Sequence, residues 1–210
     1  RLRRLLDERP LYIIIETTNV CNARCGFCAY PKMKRAKGVM TAELFAKVIG
    51  DYGDMGGGAV SLTPIVGDVL LDPLLMQRLD VLAATPSITD LSFVTNGIGW
   101  RRWSARDRER LARAAGTINF SIGGLDREAY RTMFAVDRFE AVRDAIHDLC
   151  EIKARLSLAL RINLNFRINR PVDELLADPR MADFRRPQIN EIGAINSFAN
   201  WGGAVAAEDL

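Results

Sequence analysis

Along the chain, unbroken apolar runs alternate with stretches whose apolar positions recur every three or four residues. LYIIIETT (11–18) is continuous and β-branched, the pattern of a strand covered on both faces. TAELFAKVIGDYG (41–53) has helical spacing, with Thr41 placed to cap it. AVSLT (59–63) reads as a strand, preceded by GGG (56–58) as a flexible helix exit. DPLLMQRLDVLAAT (72–85) reads as a helix capped by Asp72, with Pro73 in its first turn. DLSFVTNG (90–97) is the next strand, SARDRERLARAAG (104–116) a helix closed by Gly116, and TINFSIGG (117–124) a further strand. Residues 126–154 are helical with a break near Val136–Asp137, 156–169 form a long strand, 172–184 a broken helix and 188–196 the last strand.

Six strand–helix alternations call for a parallel sheet with right-handed crossovers, which an open doubly wound sheet or a partial barrel would satisfy. In either architecture the loops leaving the C-terminal strand ends form the working face. Four loops with chemically useful residues occupy such positions: CNARCGFCAY (21–30), GDVLLDP (67–73), TNG (95–97) and SIGG (121–124). No change of composition marks a second domain, so residues 1–210 read as one domain.

Composition narrows the class only a little. With 49% hydrophobic and 26% charged residues the chain is neither a disordered segment nor a fibre. No apolar run approaches a bilayer span and nothing at the start resembles a signal peptide, so a cytoplasmic protein without membrane contact is expected. Residue 1 is Arg, so a leader upstream of this sequence stays open. The net charge of +3 is too weak to suggest a nucleic-acid partner. Residues 1–40 nevertheless hold nine Lys or Arg against three Asp or Glu. That excess is either a solvated basic surface or a site for an acidic ligand near PKMKRAK (31–37).

Cysteine placement changes the picture. Three of the four cysteines, Cys21, Cys25 and Cys28, lie in the first of those loops, spaced C-x3-C-x2-C. They are too crowded to pair with one another, and Cys150 alone remains as a distant partner, so the cluster reads as metal or redox chemistry in a reducing compartment. A structural zinc site wants four ligands in two pairs; no second C-x2-C follows, and the lone histidine, His147, sits in a helix. A redox pair at Cys25 and Cys28 needs no third cysteine. Three thiolates suit an iron–sulfur cluster in which one iron lacks a protein ligand and stays open to substrate or cofactor. Asn22, Arg24 and Gly26 let backbone amides approach its sulfides. Cys150 reads as a buried helix thiol.

CNARCGFC resembles the cluster-binding loop of the radical S-adenosylmethionine (radical SAM) superfamily, C-x3-C-x-aromatic-C after the first strand. The resemblance implies a partial (β/α)6 TIM-type barrel with parallel strands, a 4Fe–4S cluster on Cys21, Cys25 and Cys28, and S-adenosylmethionine as cofactor, with Phe27 near the adenine. GDVLL stands where the family has GEPLL, which implies that Gly67 and Asp68 hold the cofactor's amino group. Asp68 is one methylene shorter than the usual Glu, and Val69 replaces Pro. Asn96 of TNG and Ser121 of FSIGG fall at the third- and fourth-strand motifs. Arg161, Asn163 and Asn165 alternate on one face of the fifth strand, a face the family turns toward cofactor and substrate.

The implied chemistry is reductive cleavage of S-adenosylmethionine to a 5′-deoxyadenosyl radical, which abstracts hydrogen from a peptide or small polar substrate. It implies a reductase or flavodoxin-type electron donor as partner. NSFANWGGAV (196–205) resembles the exit from the sixth strand in members that carry a cysteine-rich SPASM-type C-terminal domain; the alternative reading is that Trp201 simply caps the barrel. Trp100 and Trp103 follow the third strand, either lining a pocket or packing as core or lid. Two other classes remain: an iron–sulfur electron carrier, and a structural zinc module with Asp68 as fourth ligand.

Overall fold

Six strands, all parallel, form one sheet in the order of the chain: β1 (Tyr12–Ile14), β2 (Gly58–Ser61), β3 (Ile88–Thr95), β4 (Thr117–Ile122), β5 (Arg161–Arg167) and β6 (Ile189–Ile195). The computed structural model describes residues 9–168, 170–195, 198 and 205. The helices are α1 (Ala42–Asp54), α2 (Leu75–Ala83), α3 (Ala105–Ala114), α4 (Arg127–Phe134), α5 (Phe139–Arg155) and α6 (Val172–Ala177). Parallel strands in sequential order with a helical crossover at each step make a partial TIM-type barrel. Among the described residues no helix is long and apolar enough to cross a membrane.

Period-two alternation divides each central strand between two faces. Ile118, Phe120 and Ile122 of β4 and Ile162, Leu164 and Phe166 of β5 are buried in the main core. Asn119 and Ser121 take the other face, in register with Asn163 and Asn165. The helices reach the core through residues at helical spacing, as with Phe45, Ile49 and Tyr52 of α1, each worth about 1.5–3 kcal/mol when fully buried. Thr41, Ser104 and Asp126 cap α1, α3 and α4 by accepting from Leu44 N, Asp107 N and Ala129 N. The break between α4 and α5 falls where the sequence places it, with Ala135 left-handed at φ 53°.

Several local expectations need correction. Only Tyr12–Ile14 of the first apolar run pair with β2; β1 is an edge strand, and Tyr12 and Ile14 are 49% and 61% exposed rather than covered. Asp72 does not cap α2, which starts at Leu75. Its carboxylate instead accepts from Leu74 N and pairs with the equally buried Arg78 at 2.5 Å. Arg78 also donates to Met40 O at 2.6 Å, tying α2 to the end of the cysteine segment. Gly116 is no helix cap: a β-carbon there would lie 1.8 Å from Asp90 Oδ1, so it serves a close approach. The 56–58 glycines form a tight turn, in which a β-carbon on Gly57 (φ +62°) would meet Ser87 O at 2.2 Å. β5 starts at Arg161, because the chain still turns through Ser157 (φ 50°). Trp100 is fully buried, with Nε1 donating to Asp148, and Trp103 donates to Leu70 O, so both brace the core. Trp201 and most of 196–205 lie outside the described residues.

Candidate active site

The cysteine loop leaves the C-terminal end of β1 and is tied shut at its base. Thr18 and Val39 form an antiparallel bridge, flanked by Asn19 N donating to Gly38 O and Met40 N to Thr17 O. The Asn19 side chain completes the tie, accepting from Gly38 N at 2.7 Å and donating to Ala36 O at 2.9 Å. Beyond it, Glu16 accepts from Ile65 N and Val66 N and pairs with Arg35, joining the β1 and β2 loops. Gly67 (φ +122°) permits the next contact, since a β-carbon there would lie 2.7 Å from Thr18 O. The neighbouring Asp68 N donates to Val20 O.

Cys21, Cys25 and Cys28 are free, half-buried thiols. They line one cavity of about 270 Å³ together with Phe27, Gly67, Asp68, Asn96, Ser121 and Arg167. Asn96 Nδ2 reaches Cys21 Sγ at 3.6 Å and Asn22 Oδ1 at 2.9 Å, so Asn96 braces the loop and is more than a turn-former. Tyr30 N donates to Cys28 Sγ at 3.4 Å, and Tyr30 Oη to Cys21 O at 3.0 Å. Burial pushes the Cys21 thiol up to about 11, helped by the negative charge of Asp68. Burial pushes Cys25 up as well, with Cys28 and Cys21 adding to it, and raises Cys28. A bound metal reverses this, because its charge drives off the thiol protons.

Asp68 sits on the floor of the cavity, 2% exposed. Oδ1 accepts from Leu70 N at 3.0 Å, Oδ2 from Asn96 N at 2.7 Å, and Thr95 Oγ1 lies 2.9 Å from both. Three donors therefore occupy three of its four acceptor positions, leaving one for a ligand. Desolvation pushes its pKa up to about 6, against the lowering effect of those donors.

Arg167 was not singled out by its sequence and is the cation of this site. Its Nε donates to Ser121 Oγ at 3.0 Å, and its guanidinium lies 5.8 Å from the Phe27 ring centre and 5.9 Å from that of Phe198. Phe27 and Phe198 stack at 4.9 Å, and Phe27 meets Phe134 edge-on at 5.8 Å. Arg167 continues the Arg161, Asn163, Asn165 alternation by one step, which is the signal that could have found it. The structure does not bring Arg161 to the cavity: it is exposed at the opposite, N-terminal end of β5. Asn163 lies between the two, donating to Asn119 Oδ1 at 3.0 Å, with its own Oδ1 buried and without a partner. Cys150 is buried in α5, and His147, on the same helix, contacts Asp183 O.

Three thiols suit an iron–sulfur cluster chemically, since each binds a different iron and the three need not converge on one point. Among the described residues no three His, Cys, Asp or Glu side chains are arranged to hold a single metal ion.

Known proteins resemble the chain in sequence and in fold. The chain is 28% identical over 184 residues to the GTP 3′,8-cyclase of Synechococcus elongatus, covering 85% of this chain and 51% of that protein. It is 31% identical over 157 residues to the GTP 3′,8-cyclase of Chlorobaculum tepidum, covering 72% and 44%. The chain thus spans about half the length of these curated relatives. Its fold matches Streptococcus suis SuiB bound to precursor peptide SuiA, with a TM-score of 0.71 at 15% identity over 97% of this chain and 44% of that one. It also matches native anSMEcpe with bound AdoMet and Cp18Cys peptide, with a TM-score of 0.65 at 14% identity over 89% and 50%. The family profile described as "Radical SAM superfamily" matches residues 15–162, from the end of β1 into β5, and so takes in the cysteine loop and the Asp68, Asn96 and Ser121 positions. On that match, the chain belongs to the radical SAM superfamily.

Proposed function

We propose that residues 1–210 form a single cytoplasmic radical SAM core, with a 4Fe–4S cluster on Cys21, Cys25 and Cys28 and S-adenosylmethionine in the 270 Å³ cavity. One observation carries the reading: three thiols and the side chains of Asp68, Asn96, Ser121 and Arg167, from four different strand ends besides the cysteine loop's own, face one cavity in a chain of this superfamily. When bound, the two cofactors supply reductive cleavage of the S–C5′ bond and hydrogen abstraction from a substrate carbon. The chain's own residues position them. Asp68 offers its remaining acceptor position to the cofactor's amine, and Arg167, steadied by Ser121, offers a cation to its carboxylate. Asn96 holds the cysteine loop against β3, the Phe27–Phe198 stack keeps water out, and the free Oδ1 of Asn163 gives a polar acceptor deeper in the barrel.

The substrate side is the adjoining cavity of about 480 Å³, which shares Arg167 and adds Asp126, Glu128, Thr132 and Arg170. Its mixed charge suits a small polar molecule or a peptide segment. An acidic flavodoxin-type electron donor fits the outer flank of the cysteine loop, where Arg24, Lys34, Arg35 and Lys37 are exposed and residues 17–40 hold no acidic side chain.

Anaerobic reconstitution with iron and sulfide, followed by dithionite and S-adenosylmethionine, tests the function. Wild type should yield 5′-deoxyadenosine by mass spectrometry, and Cys25→Ala should not. A fully loaded wild type that yields none would favour an electron carrier, and stoichiometric zinc in its place a structural module.

A further inference from the structure

Tyr130 on α4 has no exposed surface, and its hydroxyl is buried without a hydrogen-bond partner among the described residues. A buried phenol hydroxyl normally finds an acceptor, because a stranded donor has given up its hydration for nothing. The ring has little freedom to seek one, since it stacks on Phe134 at 4.8 Å and leans on Phe139 at 6.0 Å. The same end of α4 is fastened to the cysteine loop, with Arg24 N donating to Phe134 O at 3.0 Å and Phe27 packed on Phe134. Burial raises the phenol's pKa above its ordinary value, and the charges of Cys25, Asp68 and Cys21 add to that while Arg138 opposes it.

Elimination narrows the acceptor. Asp68 accepts from Leu70, Thr95 and Asn96 and keeps its one remaining position for the cofactor's amine, and Cys21 accepts from Asn96. Cys28 receives Tyr30 N, whereas Cys25 receives only its own backbone N–H among the described residues. A thiol is a poor acceptor and a metal-bound thiolate a good one. We propose that Tyr130 donates a hydrogen bond to the Cys25 thiolate of the assembled cluster and thereby makes the cluster easier to reduce. Reduction places extra negative charge on the sulfurs, so a donor to sulfur holds the reduced state more strongly than the oxidised one. The unpartnered Tyr130 hydroxyl is the preformed half of that bond.

This rests on Cys21, Cys25 and Cys28 holding the cluster, and the test separates the two claims. Wild type and Tyr130→Phe are reconstituted side by side and titrated potentiometrically, with the reduced cluster read by electron paramagnetic resonance. At the solution potential that half-reduces wild type, the reduced-to-oxidised ratio in Tyr130→Phe should fall about three- to tenfold, tenfold being 59 mV for one electron. Resonance Raman Fe–S bands of wild type should shift in deuterium oxide, and that shift should shrink in the variant, a change that mere packing would not produce. Without metal the variant should melt no lower than wild type. A loaded variant with wild-type ratio and deuterium shift overturns the proposal, as does a metal-free variant that melts lower, since its hydroxyl was already bonded. If neither protein loads iron, the cysteine assignment itself falls.

Discussion

Asp68 offers the sharpest test of how this site is built, because its carboxylate is both cavity floor and structural hub. Replacing it with Ala strands Leu70 N, Asn96 N and Thr95 Oγ1, each 2.7–3.0 Å from an acceptor that is lost. At about 1–3 kcal/mol per stranded donor, partly offset by water entering from the cavity, Asp68→Ala should cost about 3–6 kcal/mol. That is a large share of the about 5–15 kcal/mol available to a single domain. Asp68→Asn keeps the shape but turns one oxygen into a donor facing an N–H, and should cost about 1–3 kcal/mol. A pH dependence follows with a definite sign. Burial raises the folded-state pKa from 3.8 to about 6, so the folded chain takes up the proton more readily than the unfolded one. The resulting stabilisation is complete below the unfolded pKa and lost as pH rises through the folded value. The gap between wild type and Asp68→Asn should therefore widen by about 1 kcal/mol from pH 7 to pH 5. Urea denaturation of the reduced, metal-free proteins, followed by tryptophan fluorescence at both pH values, reads both quantities. A loss below about 1 kcal/mol for Asp68→Ala, or a gap that narrows at pH 5, would refute the hub reading.

Three further outcomes are expected. Because burial raises all three loop thiols, they favour the metal-free fold below the unfolded thiol pKa, near 8.5, and that contribution is lost as pH rises through their folded values, about 11 for Cys21. Iron loading must displace those protons, so it should tighten steeply from pH 7 to pH 9 with proton release; pH-independent loading would contradict this. Gly67→Ala should lose about 1–3 kcal/mol and iron content together, since φ +122° and the 2.7 Å approach to Thr18 O exclude a β-carbon; an unchanged melting point would argue against it. Arg78→Met should cost about 3–5 kcal/mol by leaving Asp72 buried and unpaired, and adding Asp72→Leu should recover much of that loss; additive losses in denaturation would mean the two charges act independently.

Where information was local in the chain, the sequence carried it. Thr41 stands at the helix start it announces, and the C-x3-C-x2-C spacing needs no tertiary knowledge to be noticed. What escaped depended on direction and depth. The polar face of β5 was visible, but the choice of Arg161 over Arg167 ignored strand polarity: in a parallel barrel the end nearest the site is the C-terminal one, about 20 Å away at 3.3 Å per residue. Asp72 looked like a cap because a cap and a buried ion pair begin with the same residue, and only the arrival of Arg78 from the next turn tells them apart. Tyr130 reads as one more aromatic on a helix until α4 is laid against the cysteine loop.

The tie at the base of that loop bears on how the protein would live with a fragile cofactor. With Thr18 bridged to Val39 and Asn19 bonded at both Gly38 and Ala36, the entropy of closing some twenty residues, about 3 kcal/mol, is borne by the fold and not by the metal. A zinc finger must fold and bind in one event, so losing its ion means losing its structure. Here the barrel would outlast its cluster: oxygen could strip the iron and leave the socket standing, ready to be refilled without a round of unfolding.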